Sequence, residues 1–186
     1  NRDGDIFFTK SDDEGESWDS LTVLSLFDED EENELDGTSY LLQQRADVAA
    51  NENYVHVAWI DYDSYNGGYD IYYIKSNNNG NTWSEPSIVG TASSPGGTTI
   101  QSSGSNVVIA WVDFGDIYVV SSGTNGDSWG SEQLLEGLSS NLNYMPEMIY
   151  SEGKFHIVWS NTAFGDSVQY TNSVDGEDWN DVVYIN

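Results

Sequence analysis

The sequence contains no cysteine, which excludes a disulfide framework and any thiol chemistry. Basic residues are nearly absent too. Arg2, Lys10, Arg45, Lys75 and Lys154 are the only five, against 32 Asp and Glu, and the formal net charge is −27. A surface this acidic repels phosphate, which argues against nucleic acid and anionic membrane as partners. No apolar run approaches the ~20 residues of a membrane-spanning helix, and no secretory leader pattern is visible. The sequence opens at Asn1-Arg2-Asp3 without a Met, as a processed or excised segment would. Pro (3) and Met (2) are scarce, whereas 12 Tyr, 7 Trp, 6 Phe and 18 Gly are present, a mixture that favours short strands and tight turns over helices. The expected class is all-β. Repulsion among the carboxylates is screened by salt, so a salt-tolerant or cation-requiring protein is expected.

One short motif recurs. SDDEGESW at 11–18 returns as SNNNGNTW at 76–83, as SGTNGDSW at 122–129 and, degraded, as NSVDGEDW at 172–179. A short strand opened by Asp precedes each copy, at Asp5, Asp70, Asp116 and Asp166. Ahead of three of these lies another strand ending in Trp: 54–59, 106–111 and 154–159. A third strand is expected around 46–50, 98–102 and 146–150, and a fourth follows each motif, near 20–26, 86–89, 132–135 and 181–185. Four strands per unit, with Trp59, Trp111 and Trp159 separated by 52 and 48 residues, is the spacing of propeller blades. The expected division is a half blade plus acidic connection at 1–39 and blades at 40–94, 95–141 and 142–186, a partial β-propeller. An open arc leaves unpaired edges, so further blades of the same polypeptide or a second copy are expected to complete it.

The motif S-x-D-x-G-x-S/T-W resembles the Asp box, or BNR repeat, of sialidase-like β-propellers. It is carried by Ser11, Asp13, Gly15 and Trp18; by Ser76, Asn78, Gly80 and Trp83; by Ser122, Gly126 and Trp129; and by Gly176 and Trp179. In the second copy Asn78 replaces the Asp, in the third Thr124 does, and in the fourth Asn172 and Val174 stand at the Ser and Asp positions. The resemblance implies a hairpin between the third and fourth strands of a blade, on the face away from ligands. Its Gly needs a positive φ, which costs a residue bearing a Cβ ~1 kcal/mol or more. Its Asp or Asn accepts backbone hydrogen bonds within the turn, and its Trp folds beneath it. On this reading the motif is scaffold, not a reactive site.

The loops expected on the opposite face are 61–70, 113–116, 161–166 and the acidic connection 28–36. They carry carboxylates among aromatic rings, with Arg45, Asp61, Tyr62, Tyr65, Tyr69, Asp113, Phe114 and Phe164 as candidate ligand contacts. Oxygen-rich loops hold calcium, and Asp61, Asp63 and Asp70 are the candidate ligands, although the stretch lacks the spacing and terminal Glu of an EF-hand. The bland alternative is that these acids cap loop amides and the acidic run is a solvated surface. His56 and His156 occupy matching strand positions where the middle unit has Val108, which marks them as packing residues.

Sialidases of the resembled fold hold the substrate carboxylate with three arginines and use a Tyr/Glu pair with an Asp acid; this sequence has two arginines in all. Other glycosidases need two carboxylates ~5–9.5 Å apart, and no spacing singles out a pair, with Asp47 and Glu147 on innermost strands the least arbitrary. No phosphate loop, HExxH or nucleophile elbow is present. The expected function is a non-catalytic extracellular or cell-surface module that binds glycan or protein or contributes to an assembly, with no obligatory cofactor. The alternative is a fragment of a sialidase-like glycoside hydrolase whose catalytic residues lie mostly elsewhere.

Overall fold

Residues 54–63, YVHVAWIDYD, are aromatic or aliphatic at most positions and strongly favour an extended backbone; they form the longest strand in the protein's computed structural model, which describes residues 6–25, 44–63, 67–136, 143–161 and 167–185. No helix occurs among the described residues. A short sheet pairs β1 (Phe7–Phe8) with β2 (Thr22–Val23). Three four-stranded sheets follow. The first contains β3 (Gln44–Asn51), β4 (Tyr54–Asp63), β5 (Gly68–Ser76) and β6 (Ser87–Ala92). The second contains β7 (Pro95–Ser103), β8 (Asn106–Asp113), β9 (Asp116–Ser122) and β10 (Gln133–Glu136). The third contains β11 (Asn143–Ser151), β12 (Lys154–Asn161), β13 (Ser167–Ser173) and β14 (Val183–Ile185). Each is an antiparallel meander in chain order, and β3, β7 and β11 lie side by side. Asp47 fastens two of these inner strands, its Oδ2 accepting from Thr99 Oγ1 and Ile100 N at 2.9 Å each. The chain is all-β and builds successive blades of a propeller arc.

Both faces of a blade meet a neighbour, and this is why β8 reads NVVIAWVD with hardly a polar interruption. Val107, Ile109 and Trp111 face the first full blade, and Val108, Ala110 and Val112 face the third, all essentially without solvent contact. Trp59, Trp111 and Trp159 are buried on the side of each blade that faces the preceding sheet. At ~25 cal/mol per Å² and 150–250 Å² of buried area, each such ring contributes roughly 4–6 kcal/mol, an upper estimate. The second strands run on past these tryptophans to Asp63, Asp113 and Asn161. In the third blade the register pairs Asn161 with Ser167, where the others pair Asp61 with Asp70 and Asp113 with Asp116. The strand position expected for Asp166 therefore belongs to Ser167, and Asp166 lies outside the described residues.

The glycine–tryptophan hairpins share one hydrogen-bond design. Ser11 Oγ accepts from Gly15 N (2.7 Å) and bonds Asp13, whose Oδ1 accepts from Ser17 N (2.8 Å). Ser76, Asn78 and Thr82 repeat this, as do Ser122, Thr124 and Ser128. Gly15, Gly80, Gly126 and Gly176 all have positive φ, between 75° and 91°. In the first three turns the residue before the glycine (Glu14, Asn79, Asn125) is left-handed as well. The fourth turn corrects the sequence alignment. It is one residue shorter, and Ser173 and Asp175, not Asn172 and Val174, take the Ser and Asp roles, with Gly176 N donating to Ser173 Oγ at 2.9 Å. That shortening removes the left-handed residue ahead of Gly176.

These hairpins also join blades. A Cβ on Gly80 would lie 2.5 Å from the Phe8 ring, one on Gly126 2.0 Å from Tyr73 Oη, and one on Gly176 2.3 Å from Val108. Each contact is with the preceding sheet. Trp83 stands edge-on to Phe8 and Trp129 edge-on to Tyr73, both with centroids 4.8 Å apart. Lys10 Nζ reaches Asn81 Oδ1 (3.1 Å), and Lys75 Nζ reaches Asn125 O (2.9 Å) and Asp127. Trp18 differs from the burial expected of it. It is 64 % exposed, because no preceding sheet among the described residues covers its hairpin, and nothing lies within 4 Å of a Cβ on Gly15.

Candidate functional site

An antiparallel meander puts alternate connections at opposite ends of a blade. The β3–β4 and β7–β8 turns lie beside the glycine–tryptophan hairpins, with Asn79 N donating to Asn53 O and Asn125 N to Ser105 O, each at 2.8 Å. The opposite end carries the β4–β5 and β8–β9 connections, the starts of the inner strands and the links between blades. Most of the acidic and aromatic candidates lie there.

On the first full blade, Asp61 pairs with Asp70 and Tyr62 with Tyr69 across the β4–β5 ladder. The tyrosine rings meet edge to face, 5.1 Å between centroids, and Tyr62 is 46 % exposed. Asp61 Oδ1 accepts from Tyr62 N at 2.8 Å. On the next blade, Asp113 Oδ1 accepts from Ser93 N (2.8 Å) and Ser94 N (2.7 Å), which pins the link between blades, and Phe114 N donates to Ser94 O at 3.1 Å. Phe114 sits at φ 50° and is 53 % exposed. A bulky side chain in the left-handed region is strained, and the bond from Phe114 N to Ser94 O is what keeps this backbone in place, with the ring exposed beside the link. Tyr118, across the ladder from Trp111, has its phenol pushed above the ordinary value by burial and then by Asp116, Asp113 and Glu132.

Nearer the arc's centre, Arg45 occupies a β-bulge with φ 61°, and its guanidinium donates to Gly96 O on the neighbouring inner strand. Met145 takes the matching bulge of the third blade (φ 50°); in the second blade the register shifts between Pro95 and Gly97, one residue off. These left-handed positions on inner strands had no signal in the sequence. Glu147 is exposed two residues past the third bulge. Of the remaining candidates, Tyr65 and Phe164 lie outside the described residues, as does the 28–36 connection; the backbone of Asp63 ends β4. Among the described residues no group of three or more His, Asp or Glu comes together in a way that could hold a metal ion.

The histidines are structural partners. His56 Nδ1 lies 2.7 Å from Tyr73 Oη, and His156 Nδ1 is the same distance from Tyr170 Oη. The middle blade replaces both members at once, with Val108 and Val119 at the equivalent positions. Burial, with the Lys75 charge adding to it, lowers His56 to about 4, so the ring is neutral near pH 7.

No protein family and no curated protein matches this sequence. Solved structures do. The NanB sialidase of Streptococcus pneumoniae superposes with a TM-score of 0.61 at 12 % identity, over 96 % of this chain and 46 % of that one. Trypanosoma rangeli sialidase gives 0.60 at 17 % identity, over 96 % and 33 %. The catalytic domain of a Coprinopsis cinerea GH62 α-L-arabinofuranosidase gives 0.50 at 11 %, over 76 % and 50 %. The chain spans half or less of the length of these structures, and its fold is that of a sialidase-like β-propeller.

Proposed function

We propose that this arc of sialidase-like blades is a non-catalytic, extracellular or cell-surface module that binds glycan through the rim formed by Tyr62, Tyr69, Asp113 and Phe114, with Arg45 toward the centre. The hairpins at the other end are Asp boxes acting as scaffold. The observation that carries the reading is Phe114: an exposed aromatic ring, its amide bonded to Ser94 O in a link that Asp113 pins, offers a flat apolar face on which a sugar can stack. Asp113 accepts from two backbone amides and Asp47 from Thr99 and Ile100 of the neighbouring inner strand, which supports a structural role for both carboxylates. Calcium bound by Asp61, Asp63 and Asp70 belongs to the same proposal, as an aid to rim order.

A glycan array run with calcium and with chelator, beside a panel of fluorogenic glycosides, tests this. Binding without turnover, weakened at least tenfold by Phe114→Ala, is the expected result. Loss of binding in chelator supports the calcium site, and unchanged binding removes it. The neighbours' identities as glycosidases favour a second reading, part of a glycoside hydrolase. Turnover abolished by Glu147→Gln would establish that reading and overturn the first.

A further inference from the structure

Three of the four hairpins are seated on the blade before them, and one is not. The turn 11–18 already has the docked conformation: Glu14 and Gly15 are left-handed at φ 61° and 91°, as Asn79–Gly80 and Asn125–Gly126 are in their seats. Yet Trp18 is largely exposed, and Phe7 and Val23, paired across β1 and β2, are exposed beside it.

The last blade shows the converse. Its face toward the preceding blade buries Phe155, Ile157 and Trp159, whereas its other face exposes Ile149 (60 %) and Val168 (44 %). The positions matching Val168 in the other sheets are Ile71 and Ile117, both without solvent contact. The same face carries Tyr170 hydrogen-bonded to His156, the rings stacked at 5.9 Å and 22°, which repeats the His56–Tyr73 pair at 5.9 Å and 19°. Tyr73 is the seat of the 122–129 hairpin. The chain therefore presents both halves of a joint it uses three times internally.

We infer that two copies of this chain associate head to tail, the 11–18 hairpin of one seated on the Tyr170 face of the other. A second copy is the proposed occupant because it brings a hairpin already in the docked conformation, whose exposed Trp18 the same seat would cover, so one interface satisfies both apolar faces. In the proposed pair the joint is used twice, each copy's hairpin seated on the other's Tyr170 face, which is the two-membered closed form of a head-to-tail ring. By the register of the internal joints, where Lys10 meets Asn81 and Lys75 meets Asp127, Glu16 of one copy lies against Asn172 of the other, a pairing without like charges. The net charge of −27 per copy opposes association at low salt, and screening favours it.

Sedimentation velocity of the full chain, in low salt and in about 1 M NaCl, where the Debye length falls to ~3 Å, reads this directly. The expected result is a species of twice the 20.6 kDa chain mass that gains population with salt. Trp18→Ser and Val168→Asp change exposed side chains and leave the fold intact by circular dichroism. Each alone weakens association at least tenfold, and an equimolar mixture of the two recovers it, because one of the two joints is then intact. With no native cysteine present, a Glu16→Cys chain mixed with an Asn172→Cys chain forms a disulfide-linked pair. A chain that stays at monomer mass in high salt, a dimer that neither variant weakens or the mixture fails to rescue, or absence of the cross-link overturns the inference, the first leaving the face to a blade of different sequence.

Discussion

Gly15 and Gly126 occupy the same place in the hairpin, yet alanine should cost very different amounts at the two. Both have φ in the left-handed region, 91° and 75°, so each substitution bears a torsional penalty of roughly 1–2 kcal/mol. At Gly15 a new methyl group meets nothing within 4 Å. At Gly126 it lies 2.0 Å from Tyr73 Oη and 2.5 Å from Cζ, and the ring has little room to yield, being hydrogen-bonded to His56 and edge-on to Trp129. Overpacking of this kind adds about 1–3 kcal/mol, for a total near 2–5 kcal/mol. Urea denaturation at micromolar chain and low salt, where association does not contribute, measures both. Equal losses at the two glycines would refute the claim that the hairpin is a joint between blades as well as a turn.

Three further outcomes follow from the same geometry. The folded His56 titrates near 4 and the unfolded residue near 6.5, so on acidification the unfolded chain takes up this proton first. The native state then loses up to about 3 kcal/mol between pH 6.5 and 4 that it holds in full above pH 6.5, read as the wild-type stability minus that of His56→Val across urea titrations at several pH values. A difference that does not change with pH contradicts it. Asp113→Ala frees the amides of Ser93 and Ser94 and costs about 1–3 kcal/mol, visible as faster hydrogen exchange in the link between blades. Finally, raising NaCl from low to physiological ionic strength or above raises the melting temperature, since 32 carboxylates against five basic groups repel one another; equal melting temperatures would count against it.

Much of the fold was legible because a Gly-to-Trp interval marks each hairpin and apolar strands surround it at a blade-like period. What the sequence concealed is where the partners of those residues sit. Nothing local distinguishes Trp18 from Trp83, because the difference is whether a preceding sheet lies against the ring. Spacing alone misplaces the fourth hairpin because its glycine sits in register while the turn before it is one residue shorter; the hydroxyl of Ser173, not its spacing, identifies its role. At the rim, the acidic and aromatic residues were evident as a composition, but the left-handed backbone of Phe114, Arg45 and Met145 was not. In β-sheet proteins such strain is imposed by bulges and tight connections that only tertiary pairing creates.

The coupling between Tyr73 and Trp129, residues 56 positions apart on successive blades, tests the arrangement of the blades most directly. A double-mutant cycle of Tyr73→Ala and Trp129→Ala, read by urea denaturation, should give an interaction energy of about 0.5–1.5 kcal/mol, while Tyr73 with Trp18 gives none. Additive losses at Tyr73 and Trp129, within roughly 0.3 kcal/mol, would contradict the seating of each hairpin on the blade before it.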